Sequence, residues 1–258
     1  MDTSRRSPGA PDGAPRLAIA SALVGITVVC WLYLFAEAAD MAAMGDMTMA
    51  MPTKGAVDLV LLLVMWWIMM IGMMLPSAAP MILTFATVNA RRRARAQPWV
   101  PTALFAAGYG LAWGGFSIAA TLAQWGLESV ALVSPMAMSV TSARLGGVLF
   151  LAAGFYQLTP LKHACLIACR SPFDFVVNRW RDGPAGALRM GLEHGLFCLG
   201  CCWILMALLF VGGAMNLSWV AVLAIAVLVE KLLPFGEWPA RIGGLLLMGW
   251  GLWLLVVG

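Results

Sequence analysis

At 258 residues, with 62% of them hydrophobic and only 11% charged, the chain has too little charge to cover a water-facing surface of its size. Soluble domains carry roughly 25% charged residues, and the mean hydropathy of +0.89 makes lipid the natural solvent for most of this chain. The net charge of +4 sits in short basic clusters between apolar runs, which suits topology signals and argues against a nucleic-acid partner.

In chain order, residues 1–16 are polar and rich in Pro and Gly, and are expected to be a disordered cytoplasmic N-terminus. The apolar run 17–35 is long enough to cross a bilayer and lacks a clean small-x-small cleavage site. It reads as a retained first helix, with cleavage near 36–39 as the alternative. An outer Met-rich loop, 37–57, follows. Further spans are expected at 58–83, 102–125, 143–160, 190–213, 217–229 (with Glu230 at its end) and 242–257, and basic cytoplasmic loops at 84–101 and 161–189. Pro76 and Pro80 should kink or break the second span in its last third. Gly-rich patches inside the apolar runs, such as Gly108 with Gly110 and Gly243 with Gly244, predict close helix–helix packing. The fold class expected is therefore all-α, a seven-span transmembrane bundle forming one domain over 17–258. Of the sixteen Lys and Arg, all but Lys54 and Arg144 then fall on one side, which orients the chain N-in and C-out.

Soft metal ligands recur at three depths. The outer loop holds Met41, Met44, Met47, Met49 and Met51 among acidic residues. Thioethers suit Cu(I) and survive an oxidising compartment, although Met is also an adaptable interfacial filler. In the second span Met65, Met69 and Met73 form an i, i+4, i+8 row beside Met70 and Met74, read first as packing and second as part of a metal path. The most informative set is His163, Cys165 and Cys169 after the fourth span, with His194, Cys198, Cys201 and Cys202 on the fifth. The last four fall within about 100° of one helix face. If the fifth span enters at Met190, its three cysteines lie about 12–18 Å deep, where a free thiolate is costly and a coordinated one is not. The chain has only these two histidines, and both accompany the cysteines. Small buried hydrophobes and a redox dithiol are the alternative readings of the set. The six cysteines, including Cys30, do not have the spacing of a secreted disulfide framework.

Tyr156, Gln157, Glu193, Glu230 and Lys231 are ionisable or polar groups within or at the ends of spans, and so are functional candidates by position. Glu193 is a candidate proton acceptor on metal binding. Glu230 and Lys231 also read as a simple interfacial charge pair.

The stretches WWIMMIGMMLPSAAPM (66–81), GFYQLTPLKHACLIACRSP (154–172) and GLEHGLFCLGCCWILMALLFVGGAMNLSW (191–219) resemble a bacterial family of predicted metal-binding integral membrane proteins, a domain of unknown function. The resemblance implies a bacterial inner-membrane location and a role with metal, without naming a substrate.

No nucleotide-binding glycine loop or Ser/His/Asp constellation occurs, so any transport is expected to be passive, gradient-driven or coupled to another subunit. The leading expectation is a copper-handling membrane protein, copper standing ahead of zinc or iron because thiolate and thioether ligands select Cu(I). Its partners would be the bilayer and a metal chaperone or other membrane subunit. A metal-dependent oxidoreductase acting on a hydrophobic substrate, and an accessory subunit with packing cysteines, are the competing expectations.

Overall fold

The computed structural model describes residues 13–44, 55–134, 138–233 and 237–257. These residues are helical almost throughout, with one isolated bridge between Val133 and Val140. The helices are α1 (Gly13–Met44), α2 (Ala56–Ala94), α3 (Thr102–Ser129), α4 (Ala143–Gln157), α5 (Pro160–Arg170), α6 (Pro172–Asn178), α7 (Gly183–Ala207), α8 (Leu209–Gly212), α9 (Leu217–Leu232) and α10 (Trp238–Val257). Among the described residues five stretches are long and apolar enough to cross a membrane: Arg16–Met41, Ala56–Ala94, Thr102–Ser129, Gly183–Gly212 and Trp238–Val257. The segments expected as the fourth and sixth spans do form α4 and α9, but with only 15 and 16 residues. At 1.5 Å per residue they cover about 22–24 Å, against a hydrocarbon core of about 30 Å.

Proline placement explains these breaks. Pro160, Pro172 and Pro184 each stand in a first turn, where the missing N–H costs nothing, and none could continue the helix before it. Thr159 caps α5 by accepting from the Lys162 amide. The stretch read as a basic loop, 161–189, is thus largely α5, α6 and the first turns of α7. By contrast α2 remains one helix through Pro76 and Pro80, and it takes in 84–94, most of the stretch read as a basic loop, 84–101. Around the prolines, the Ser77 hydroxyl donates to the Met74 carbonyl (2.8 Å) and the Thr84 hydroxyl to the Pro80 carbonyl (2.8 Å).

Small residues set the packing. Phe105 lies against Gly191 and Tyr109 against Gly195, so α3 and α7 run side by side in the same direction. A methyl group on Gly108 or Gly191 would overlap a carbonyl of the facing helix, which is why the backbones approach so closely there. Gly147 meets Gly251 and Gly154 meets Gly244, so α4 and α10 run antiparallel. The Trp219 indole donates to the Leu208 carbonyl (2.9 Å) while Lys231 reaches Cys198, so α9 runs antiparallel to α7. The Met stripe of α2 forms the middle of the bundle: Met65, Met69, Met70, Met73, Met74 and Met81 are all buried.

Candidate metal centre

Spacing alone brings three thiols together. Cys198, Cys201 and Cys202 share the inner face of α7 and are all buried. Cys201 and Cys202 donate to the Cys198 carbonyl, at 3.0 and 2.9 Å. A fourth thiol comes from α5, where Cys165 and Cys169 are one turn apart. Cys169 comes within hydrogen-bonding reach of Cys198 and Cys201. Cys165 lies over Gly200, where an added methyl would come within 2.7 Å of its sulfur.

Three residues from other helices complete the surroundings of Cys198 and Cys202. The Lys231 ammonium of α9 donates to the Cys198 sulfur at 2.8 Å and to the Ser77 hydroxyl at 3.2 Å. The Tyr109 hydroxyl lies 3.1 Å from the same sulfur and donates to the Met74 carbonyl at 3.3 Å. The Met74 thioether is 3.9 Å from the Cys202 sulfur. Four thiols and one thioether are at hand, and Cys198, Cys201, Cys202 and Met74 among them are buried. These donors are soft, the kind that select Cu(I) over oxygen-seeking cations. Among the described residues, no three His, Cys, Asp or Glu side chains are arranged as a finished cage. Cu(I) does not need one, since a linear pair of sulfurs satisfies it, and the thioether adds a further donor outside that set.

The other candidate residues divide sharply. His194 is buried one turn before Cys198, with ring centroids of Phe105, Tyr109 and Phe175 5.5–6.2 Å from its own. Among the described residues its Nδ1 has no hydrogen-bond partner. His163 is not in the cluster. It stands half-exposed with Nε2 2.9 Å from Glu237, in a surface cavity of about 240 Å³ shared with Gln157, Lys162 and Arg241. The reason is helical: His163 is two residues from Cys165, and i, i+2 positions point to different sides. Glu193 is held on the outer side of α7 by Arg179, Arg181 and Arg189, with N–O distances of 3.2–3.6 Å, and does not face the thiols. Tyr156 donates to the Gly200 carbonyl and packs edge-on against Trp203.

The expected Glu230–Lys231 charge pair is corrected. Adjacent residues on a helix lie about 100° apart and cannot face each other. Glu230 turns to the Lys162 ammonium (2.6 Å) and the Gln157 amide (2.7 Å), while Lys231 turns to the sulfurs. The role of Lys231 escapes a reading of the cysteines alone, although an ionisable residue at the end of an apolar run was itself a signal. Of the outer methionines, Met47 and Met49 lie outside the described residues, as does the side chain of Met44, whose backbone ends α1.

No curated protein and no solved structure matches the chain. A family described as a copper chaperone, PpoB2, matches residues 63–254. That range takes in α2 from its second turn onward, nearly all of α10 and every cysteine except Cys30. With about three-quarters of its length matched, the chain belongs to this copper chaperone family.

Proposed function

We propose that the protein is a membrane-embedded carrier that takes up Cu(I) and delivers it to a partner, holding the ion on sulfurs drawn from Cys169, Cys198, Cys201, Cys202 and Met74. One observation carries this reading: in a chain of a copper chaperone family, helices α2, α5 and α7 bring four thiols and a thioether together in the bundle interior. Copper here is cargo, and a chaperone must release what it binds. A pair of soft ligands with protonated thiols nearby allows the ion to pass by ligand exchange rather than by leaving a closed cage.

The same reading includes seven crossings with N-in and C-out orientation in a bacterial inner membrane. It is supported by helix direction: α3 and α7 are both long enough to span and run the same way, which fits a return across the bilayer between them through α4, α5 and α6. The shared direction of α7 and α10 fits a second return through α9. The Arg92–Asp182 ion pair (2.6 Å) joins the end of α2 to the start of α7 on the basic side. The thiol pocket then lies within the membrane, open to exchange toward the cytoplasmic half. Purified full-length protein should bind Cu(I) stoichiometrically, and Cys198→Ser with Cys201→Ser should abolish binding. Unchanged binding in that double variant overturns the assignment.

A further inference from the structure

A buried lysine that donates to a sulfur rather than to a carboxylate is unusual, because a charge removed from water needs an opposite charge beside it. Lys231 is only 8% exposed. Its sequence neighbour Glu230 is turned to Lys162 and Gln157. The partners found for its ammonium are the Cys198 sulfur and the neutral Ser77 hydroxyl, with the neutral Tyr109 hydroxyl on the far side of that sulfur. Among the described residues no carboxylate pairs with it. The anion that balances Lys231 is therefore sulfur.

We infer that Lys231 is the resident counter-cation of the copper site and makes it selective for a monovalent ion held by two thiolates; this rests on the Cu(I) reading above. The charge count decides the preference. Two thiolates around Cu(I) carry one net negative charge, and the Lys231 ammonium cancels it. A divalent ion in the same pair is already neutral, so Lys231 leaves an unbalanced positive charge in a medium that penalises it. Cys198 is one ligand, since it already receives the ammonium. Cys169 is the natural second, because it reaches Cys198 from a different helix, α5, and so can stand across the ion from it. Loading then displaces one proton from the pair and moves no electron: Cu(I) enters, the Cys169 S–H bond breaks, the proton leaves to solvent, and two Cu–S bonds form. Lys231 touches the ligand, not the ion, so it is a positioning and selectivity residue.

The test is a competition titration of the detergent-solubilised full chain with Cu(I), Ag(I) and Zn(II) against chromophoric chelators, in wild type, Lys231→Gln and Lys231→Arg. Wild type should prefer Cu(I) and Ag(I) over Zn(II). Lys231→Gln should lose about a thousandfold in Cu(I) affinity without a matching loss for Zn(II), the scale of removing one partner from a buried charge pair. Lys231→Arg should retain the monovalent preference. A folded Lys231→Gln protein with unchanged Cu(I) and Zn(II) affinities overturns the counter-cation role and leaves the copper reading standing. If Lys231→Gln does not fold, a wild-type protein that holds Zn(II) as tightly as Cu(I) overturns it equally. A wild-type protein that holds no Cu(I) overturns both readings.

Discussion

Two lysines sit almost side by side in this bundle and have entirely different partners. Lys162 of α5 is 1% exposed and makes an ion pair with Glu230, whose carboxylate also accepts from Gln157. Lys231 of α9, the residue next to Glu230, instead donates to Cys198. The first arrangement is closed: both charges are satisfied, and nothing can enter without breaking the pair. The second is open, because a sulfur held by an ammonium can still accept a metal ion while the ammonium stays in place. Burial and charge do not by themselves separate the two lysines; the polarisability of the partner does.

The comparison can be broken from the structural side first, where the expected effect is largest. Glu230→Gln leaves Lys162 charged and unpaired in the interior, and should cost about 3–5 kcal/mol of stability, read as loss of fold in a denaturant or thermal unfolding series in detergent. The double change Lys162→Met with Glu230→Leu should recover most of that loss, because replacing both members of a buried pair is often neutral. A double variant as unstable as Glu230→Gln alone would show that the knot is more than an ion pair. The smallest effect is expected at the surface histidine. His163→Ala removes a half-exposed contact to Glu237 and should change stability by under about 1 kcal/mol, with Cu(I) affinity unaltered by competition titration. A large fall in copper affinity would bring His163 back into the site.

Much of the fold was legible in the sequence because it depends on local rules. The 3.6-residue period put Cys198, Cys201 and Cys202 on one face, and i, i+4 spacing paired Cys165 with Cys169. The glycine patches announced close packing, and Gly108, Gly147 and Gly244 do sit where helix backbones meet. What escaped was long-range. Lys231 is 33 residues from Cys198 in sequence, Tyr109 is 89 residues away, and Met74 is 128 residues from Cys202. Helical periodicity says which face a residue occupies but not which helix lies opposite. Helix ends were also misjudged where proline starts rather than stops a helix, as at Pro160 and Pro172. His163 was drawn into the cysteine set by proximity in sequence, although helical geometry turns it away.

The central claim, that this copper chaperone family member holds Cu(I) on sulfur inside the bundle, is met most directly by copper-edge X-ray absorption of the Cu(I)-loaded full-length protein. The wild type should show a first shell of two sulfurs, lost in the Cys198→Ser, Cys201→Ser double variant. A first shell of nitrogen or oxygen, or an unchanged sulfur shell in that variant, would contradict it.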